Sequence, residues 1–264
     1  MMKTRLLAEA FLLVLTLSIA FPRYGAAEEE EKPAATVDVA AFSKYVWRGY
    51  ELSKDSVVIQ PSATVAYKGV SLNLWGNMDT DVHGDERDEA KWNETDLTLA
   101  YEKSIGIITL SGGFIYYALD GADDSREFYL CATVNTFLSP TISVYREVAH
   151  LPSWYLSFGV SHSFELAKGI TFDLAGSVGY YSSDDNDFTE VDENGNSTGE
   201  RYRAFHDGKI SAGLTIPLMQ YLSVSPTVAY TFPLSGKADD LITSSSISDK
   251  SDFFYGGVTV SFSF

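Results

Sequence analysis

Apolar and polar positions repeat with a period of two along most of this chain, the repeat of a strand and not of a helix. In the last segment Phe254, Val258, Val260, Phe262 and Phe264 alternate with Tyr255, Thr259, Ser261 and Ser263. Further back, Leu72, Leu74, Gly76 and Met78 alternate with Ser71, Asn73, Trp75 and Asn77, and Ile170, Phe172, Leu174 and Val178 alternate with Thr171, Asp173, Ala175 and Ser177. Each such strand has one oily face and one wet face. About twelve segments of this kind follow one another from Val37 to the end.

The joints between them sort by length. Tight ones fall near Lys68-Gly69, Ser104-Ile105-Gly106, Leu138-Ser139-Pro140, Ala167-Lys168-Gly169 and Leu218-Met219-Gln220, most with the Gly or Pro that a turn needs. Long polar ones fall near 51–56, 80–91, 120–125, 149–152, 183–200 and 233–251. The two kinds interleave without exception. Strands running toward the tight turns finish on Tyr67, Tyr101, Phe137, Phe164 and Phe264, and a second set of aromatics, including Tyr45, Trp47, Trp75, Tyr117, Trp154, Tyr181, Tyr230 and Phe254, lies toward the long loops. Two aromatic bands, oily outer faces and loops sorted by length predict an all-β chain: a transmembrane antiparallel up-and-down β-barrel of about 12 strands.

The amino terminus carries Lys3 and Arg5, then the apolar run from Phe11 to Ala20, then Gly25-Ala26-Ala27. This is the pattern of a cleaved secretory signal, expected over 1–27. The run is shorter than the ~20 residues that a membrane-spanning helix needs, and no other stretch approaches that length. Residues 28–36, acidic and then rich in Pro and Ala, are expected to form a disordered leader, and 37–264 a single barrel domain. The formal charge of -17 argues against nucleic acid as a partner. Cys131 is the single cysteine, so no intrachain disulfide can form.

The opening hairpin holds the most specific residues. Ser43-Lys44-Tyr45-Val46-Trp47-Arg48-Gly49 leads to Ser53, then Gln60, Gly69 and Leu74-Trp75-Gly76-Asn77-Met78-Asp79. This stretch resembles the opening S-x-Y-x-x-R-G-x-x-x-S pattern of the TorF-like porin family of bacterial outer-membrane proteins. The resemblance implies a barrel and a porin, with no catalytic residues, metal or cofactor to carry over. A terminal Phe264 on an alternating strand likewise resembles the signal by which such barrels engage the barrel-assembly machinery. The partners implied are outer-membrane lipid, lipopolysaccharide and small hydrophilic solutes, in the outer membrane.

Strand parity selects candidate pore-lining residues. Asp38, Lys44 and Arg48 are opposite in parity to Val37, Val39, Tyr45 and Trp47, and so are expected on the inner face of the first strand. The same argument places Glu94, Asp96, Glu127, Glu147, Asp173, Arg203, Asp207 and Lys209 inside, since a charge facing lipid at mid-depth costs ~2 to 4 kcal/mol. Lys44 and Arg48 would form a basic ladder facing an acidic wall, giving a mildly cation-selective channel. The competing reading is that these charges pair and fill a closed barrel. The long 183–200 loop is the segment expected to fold inward if any does.

Two acidic loop clusters, around Asp79–Glu89 and Asp184–Glu193, have oxygen ligands but no twelve-residue calcium loop, and read as solvated acids. Cation bridging to lipopolysaccharide is the sharper alternative. For an enzyme, His150 at a loop and His206 at an oily position are the candidates to reach a serine at the lipid face, while His83 and His162 sit elsewhere. No nucleophile motif accompanies them. The functions that remain are a passive channel, a closed structural barrel and, last, a lipid hydrolase.

Overall fold

Strand β1 (Ala34–Phe42) pairs along one edge with β4 (Val58–Tyr67) and along the other with the last strand, β16 (Phe253–Ser263), and these two pairings close a barrel. The computed structural model describes residues 32–54, 56–82 and 89–264. The expected signal and residues 28–31 of the leader lie outside them. Between β1 and β4 come two short strands, β2 (Val46–Trp47) and β3 (Tyr50–Glu51). The wall continues through β5 (Val70–Asp79), β6 (Lys91–Ile105), β7 (Ile108–Leu119), β8 (Ser125–Val134), β9 (Thr141–Glu147), β10 (Ser153–Glu165) and β11 (Thr171–Ser183). A small hairpin of β12 (Thr189–Val191) and β13 (Ser197–Arg201) follows, then β14 (Arg203–Met219), β15 (Leu222–Pro233), helix α1 (Gly236–Ser245) and β16.

Twelve strands therefore form the wall, each antiparallel to its neighbours and in chain order, as the alternating tight and long joints predict. All the tight turns lie at one end, the turn end, where Phe264 and Ala35 also exchange backbone hydrogen bonds of 2.9 and 3.2 Å. The long connections lie at the other, the loop end. The first strand begins at Ala34, three residues before the expected boundary.

Large apolar side chains cover the outer face, among them Val39, Leu72, Leu99, Leu130, Ile142, Phe158, Ile210 and Val258, all exposed. A continuous exposed apolar belt of this kind suits hydrocarbon and not water. The turn-end aromatics Tyr67, Tyr101, Phe137, Phe164 and Phe264 are exposed on it as expected. The loop-end aromatics divide. Trp154, Tyr230 and Phe254 face outward, while Trp75, Tyr117, Tyr155 and Tyr181 are buried inside.

Three local features depart from the sequence expectation. The first strand stops at Phe42, so Lys44 and Arg48 do not stand on it as a ladder; they belong to the segment carrying β2 and β3. The 233–251 connection contains α1, which packs into the barrel together with residues 43–53; the 183–200 connection contributes Phe188 and Thr189, both buried, while its β13 is exposed throughout. The third is a bulge. Between Val178 and Tyr180 on β11 the register to β14 shifts, so one residue faces two, His206 and Asp207. Both of these side chains are buried inside, and the alternation beyond them is reversed. Arg203, expected inside, is thereby turned outward with its neighbour in parity Phe205, and His206, expected at the lipid face, is turned in.

Candidate functional site: the loop-end interior

The interior at the loop end is organised by a two-residue hairpin turn. Trp47 pairs with Tyr50 across Arg48 and Gly49, whose φ values of 40° and 87° are both left-handed, as a tight hairpin turn with the twist of its strands requires. Glycine meets that requirement at no steric cost, and here a side chain would also meet Ile242 of α1 at 3.0 Å and Asp207 at 3.1 Å. The turn is thus driven against the helix on one side and the wall on the other.

Arg48, at the tip, is buried against the inner face of β8 to β11. Its two terminal nitrogens donate to the two carboxylate oxygens of Glu127 on β8 at 3.1 and 3.0 Å, and one donates to the Tyr181 hydroxyl at 3.0 Å. Its guanidinium carbon lies 4.0 Å from the Tyr155 ring centre, 4.6 Å from Tyr145 and 4.7 Å from Trp47. The side chains of the ion pair are 1% and 2% exposed. A forked, two-bond pair wrapped in aromatic faces is geometry suited to arginine and not to lysine. Removing one partner of such a buried pair costs ~3–5 kcal/mol, because the other charge is left without compensation.

The rest of the segment is tied down residue by residue. The Tyr45 hydroxyl donates to Glu94 at 2.9 Å, its ring packs 5.8 Å from Trp75, and its backbone N–H donates to Ser53 Oγ at 2.8 Å. Burial, then the charges of Glu94 and Asp96, push the Tyr45 phenol well above its usual range, so it stays a donor. Lys44 pairs with Glu51, whose backbone N–H donates to Ser246 Oγ at 3.1 Å and whose carboxylate accepts from the Ser248 N–H at 3.1 Å. These bonds join the first loop to the chain just after α1. The helix is capped by Ser235, whose Oγ accepts from the Ala238 N–H at 3.2 Å, and it buries Ala238, Leu241 and Ile242, which share one face at helical spacing.

Around this insert each of the twelve wall strands contributes at least one buried residue, from Ala40 on β1 and Val58 on β4 through Asp96, Tyr117, Glu127 and Tyr155 to Thr231 and Tyr255. The loop-end half of the lumen is therefore filled with protein. Room is made for it at one point by Gly179, where a side chain would collide with the hydrogen bond from the Tyr155 hydroxyl to Asp207, 2.8 Å long. His206 packs between the Tyr50 and Tyr181 rings, at 5.0 and 4.9 Å, and its Nδ1 bonds the Tyr202 hydroxyl at 2.7 Å. It bonds a buried tyrosine and not a serine, inside the wall.

The turn-end interior is different. Asn73 donates to Ser62 and Thr64 at 2.8 Å each, Thr133 and Thr141 bond at 2.9 Å, and Asp173 accepts from Thr215 at 2.9 Å. Short hydroxyl side chains, most of them only part-buried, line it.

The sequence-selected residues are distributed as follows. Glu94, Asp96, Glu127, Glu147 and Asp207 are buried around the insert; Asp173 and Lys209 face the interior part-exposed; Arg48 sits in the insert, Lys44 at its root, and Arg203 outside. Three carboxylate oxygens of Glu94 and Asp96 and one of Glu147 have no hydrogen-bond donor. Acids thus outnumber bases here. The residues missed from the sequence are the ones that pack the insert: Trp47, Tyr50, Tyr117, Tyr155, Tyr181, Leu241 and Ile242. In the loops, Asp192 accepts from the backbone N–H of Asn194 at 3.0 Å and of Asn196 at 2.9 Å, a turn and not a cation cage. No group of three or more His, Cys, Asp or Glu side chains among the described residues is arranged to hold a metal; part of the 80–91 cluster lies outside them.

Comparison with known proteins finds no matching family model and no matching curated protein. Solved structures do match in fold. A KdgM porin aligns over 87% of this chain and 99% of its own at 11% identity, with a TM-score of 0.53. A NanC porin aligns over 86% and 98% at 11% identity, TM-score 0.50, and LpxR from Salmonella typhimurium over 87% and 99% at 8% identity, TM-score 0.50. The closed antiparallel barrel of this chain is thus a fold shared with these structures.

Proposed function

We propose that this chain is an outer-membrane channel of porin type, for passive movement of small hydrophilic solutes, with its loop end outward and its first loop as a constriction. The observation that carries this reading is that the lumen is blocked by an insert and not by its wall. Residues 43–53 and α1 fill the loop-end half, whereas the wall itself is lined at the turn end by hydroxyls that water can reach. The insert is held by the Arg48–Glu127 pair, a rim of hydrogen bonds and the burial of Trp47 and Tyr50, and a segment bound through one cooperative set of contacts can leave as a unit.

The lining chemistry narrows the solute. The interior carries more carboxylates than bases, so neutral or cationic solutes and inorganic cations are favoured over acidic ones. A KdgM structure is described as a complex with oligogalacturonate; an acidic oligosaccharide is a poor fit to this interior. The TorF-like resemblance is supported by the use the structure makes of its motif. The Tyr45, Arg48 and Gly49 of that pattern are the residues that seat the insert. Assembly through the closing strand β16 and its terminal Phe264 belongs to the same proposal.

Single-channel recording of the purified protein in planar bilayers tests it. The wild type should give discrete, cation-preferring steps, and replacing residues 45–52 by a short Gly linker should enlarge them. A silent wild type beside a conducting deletion would favour a permanently filled structural barrel, the reading that the complete ring of buried side chains supports.

A further inference from the structure

The bulge that reverses β14 completes a pattern on the outer face. Among the described residues the wall strands carry three arginines: Arg126 on β8, Arg146 on β9 and Arg203 on β14. All three face outward at the loop end, within one sector. Register makes the arrangement explicit. Arg146 stands opposite Trp154, Trp154 opposite Ser182, and Ser182 opposite Arg203, a straight row across four strands. At ~4.8 Å per strand its two guanidinium roots are ~14 Å apart. Arg126, opposite Tyr116, lies ~7 Å nearer the loop rim, being two residues beyond the partner of Arg146.

Directly below this row, toward mid-wall, comes an apolar one: Val144, Leu156, Tyr180 and Phe205, again in register. Below that come Ile142, Phe158 and Val178. The arginines therefore stand where an oily surface ends. Two of them lie over aromatic rings, Arg126 5.9 Å from the centre of Tyr116 and Arg146 5.0 Å from Trp154. Arg146 also donates to Asp184 at 2.6 Å, and Asp124, held by Tyr116, is near enough to Arg126 to share its field. Arg203 is exposed on the same face. The opposite sector has no counterpart: β15, β16, β1, β4 and β5 carry neither Arg nor Lys.

We infer that this sector is a binding site for the phosphorylated headgroup of an outer-leaflet lipid, with Arg126, Arg146 and Arg203 holding phosphate and the apolar rows beneath holding acyl chains. Guanidinium forks match phosphate oxygens two bonds at a time, and aromatic faces keep them extended along the wall. The placement at the edge of the apolar belt brings phosphate to the arginines without pulling the chains from hydrocarbon. The inference rests on the loop end facing outward, as proposed above, and not on whether the lumen conducts.

The test uses the purified full-length barrel in detergent, with native mass spectrometry reporting bound lipid. Diphosphorylated lipid A should be retained at least about tenfold better than the same lipid with both phosphates removed. Changing all three arginines to Gln should abolish that preference, and changing them to Lys should leave an intermediate one. Equal retention of the two lipids by the wild type would overturn the inference, as would an unchanged preference in the Gln variant. Heat-dependent gel mobility checks that each variant is a folded barrel; should the Gln variant fail it, the wild-type comparison of the two lipids decides alone. Bilayer conductance of the variants should match the wild type, so failure of the channel reading and failure of the lipid site are read separately.

Discussion

The two halves of this barrel share one wall but have different interiors. At the loop end, charged and aromatic side chains are buried around Arg48; at the turn end, Ser, Thr and Asn side chains bond to one another across strands and most remain part-exposed. Buried, the first set contributes large energies of either sign, since each unpaired group there carries its full desolvation cost. The second set exchanges protein bonds for water bonds at little net change. A closed barrel needs no filled interior to satisfy its backbone, so the filled half answers to something other than the wall's stability: the first loop is held there by contacts specific to it.

The sharpest way to break the comparison is Arg48→Ala. It leaves Glu127 buried without its partner and should destabilise the seated loop by ~3–5 kcal/mol. Hydrogen exchange should show residues 44–52 losing protection while the wall strands keep theirs. If protection in the loop is unchanged, Arg48 does not hold the insert.

Next in size is a matched pair of substitutions, one in each half. Ile242→Ala removes a fully buried side chain from beneath Gly49 and should cost ~2–5 kcal/mol of local stability. Thr133→Val at the turn end gives up one hydroxyl bond to Thr141 beside water and should cost about 1 kcal/mol or less. Denaturant unfolding followed by tryptophan fluorescence, with Trp47 as the reporter for the insert, measures both. Equal costs would mean that the two interiors are not energetically distinct.

Why one half was legible in the sequence and the other was not follows from the same contrast. The wall obeys a period of two because lipid and water act on its opposite faces, and that signal placed the strands, the joints and the inward parity of Glu94, Glu127 and Asp173. The bulge at His206 and Asp207 adds a residue without changing composition, so parity carried past it reversed Arg203 and His206 together. The insert was hidden differently. Trp47-Arg48-Gly49-Tyr50 continues the alternation of β1 and reads as more strand, although a Gly between flanking aromatics is itself a turn signal. Ala238, Leu241 and Ile242 after Ser235 carry a helix's spacing and cap inside a stretch polar enough to read as loop. What no local pattern holds is which loop enters the barrel, because that is decided by contacts of Arg48 79 and 133 residues away.

The smallest expected effect concerns the tip of the 183–200 connection, which is exposed although Phe188 nearer its root is buried. Asp192 joins the ends of the β12–β13 turn, and the Asn196 backbone N–H, then its side-chain amide, hold its carboxyl below the usual carboxylate range. A lowered value in the folded turn means that the ordering it provides is fully present above the ordinary aspartate value of ~3.9 and is lost as pH falls through the lowered one. Acidification should therefore loosen the 192–196 turn while leaving the insert seated through this group's titration, since the hydrogen bonds of the Asp192 carboxylate run to Asn194 and Asn196 of its own turn. Asp192→Asn should make the turn's protection independent of pH over that window. Amide exchange at Asn194 and Asn196, followed from neutral pH downward, reads the difference, and a loss of protection in residues 44–52 at the same midpoint would show that the outer hairpin and the inserted loop are coupled instead of separate.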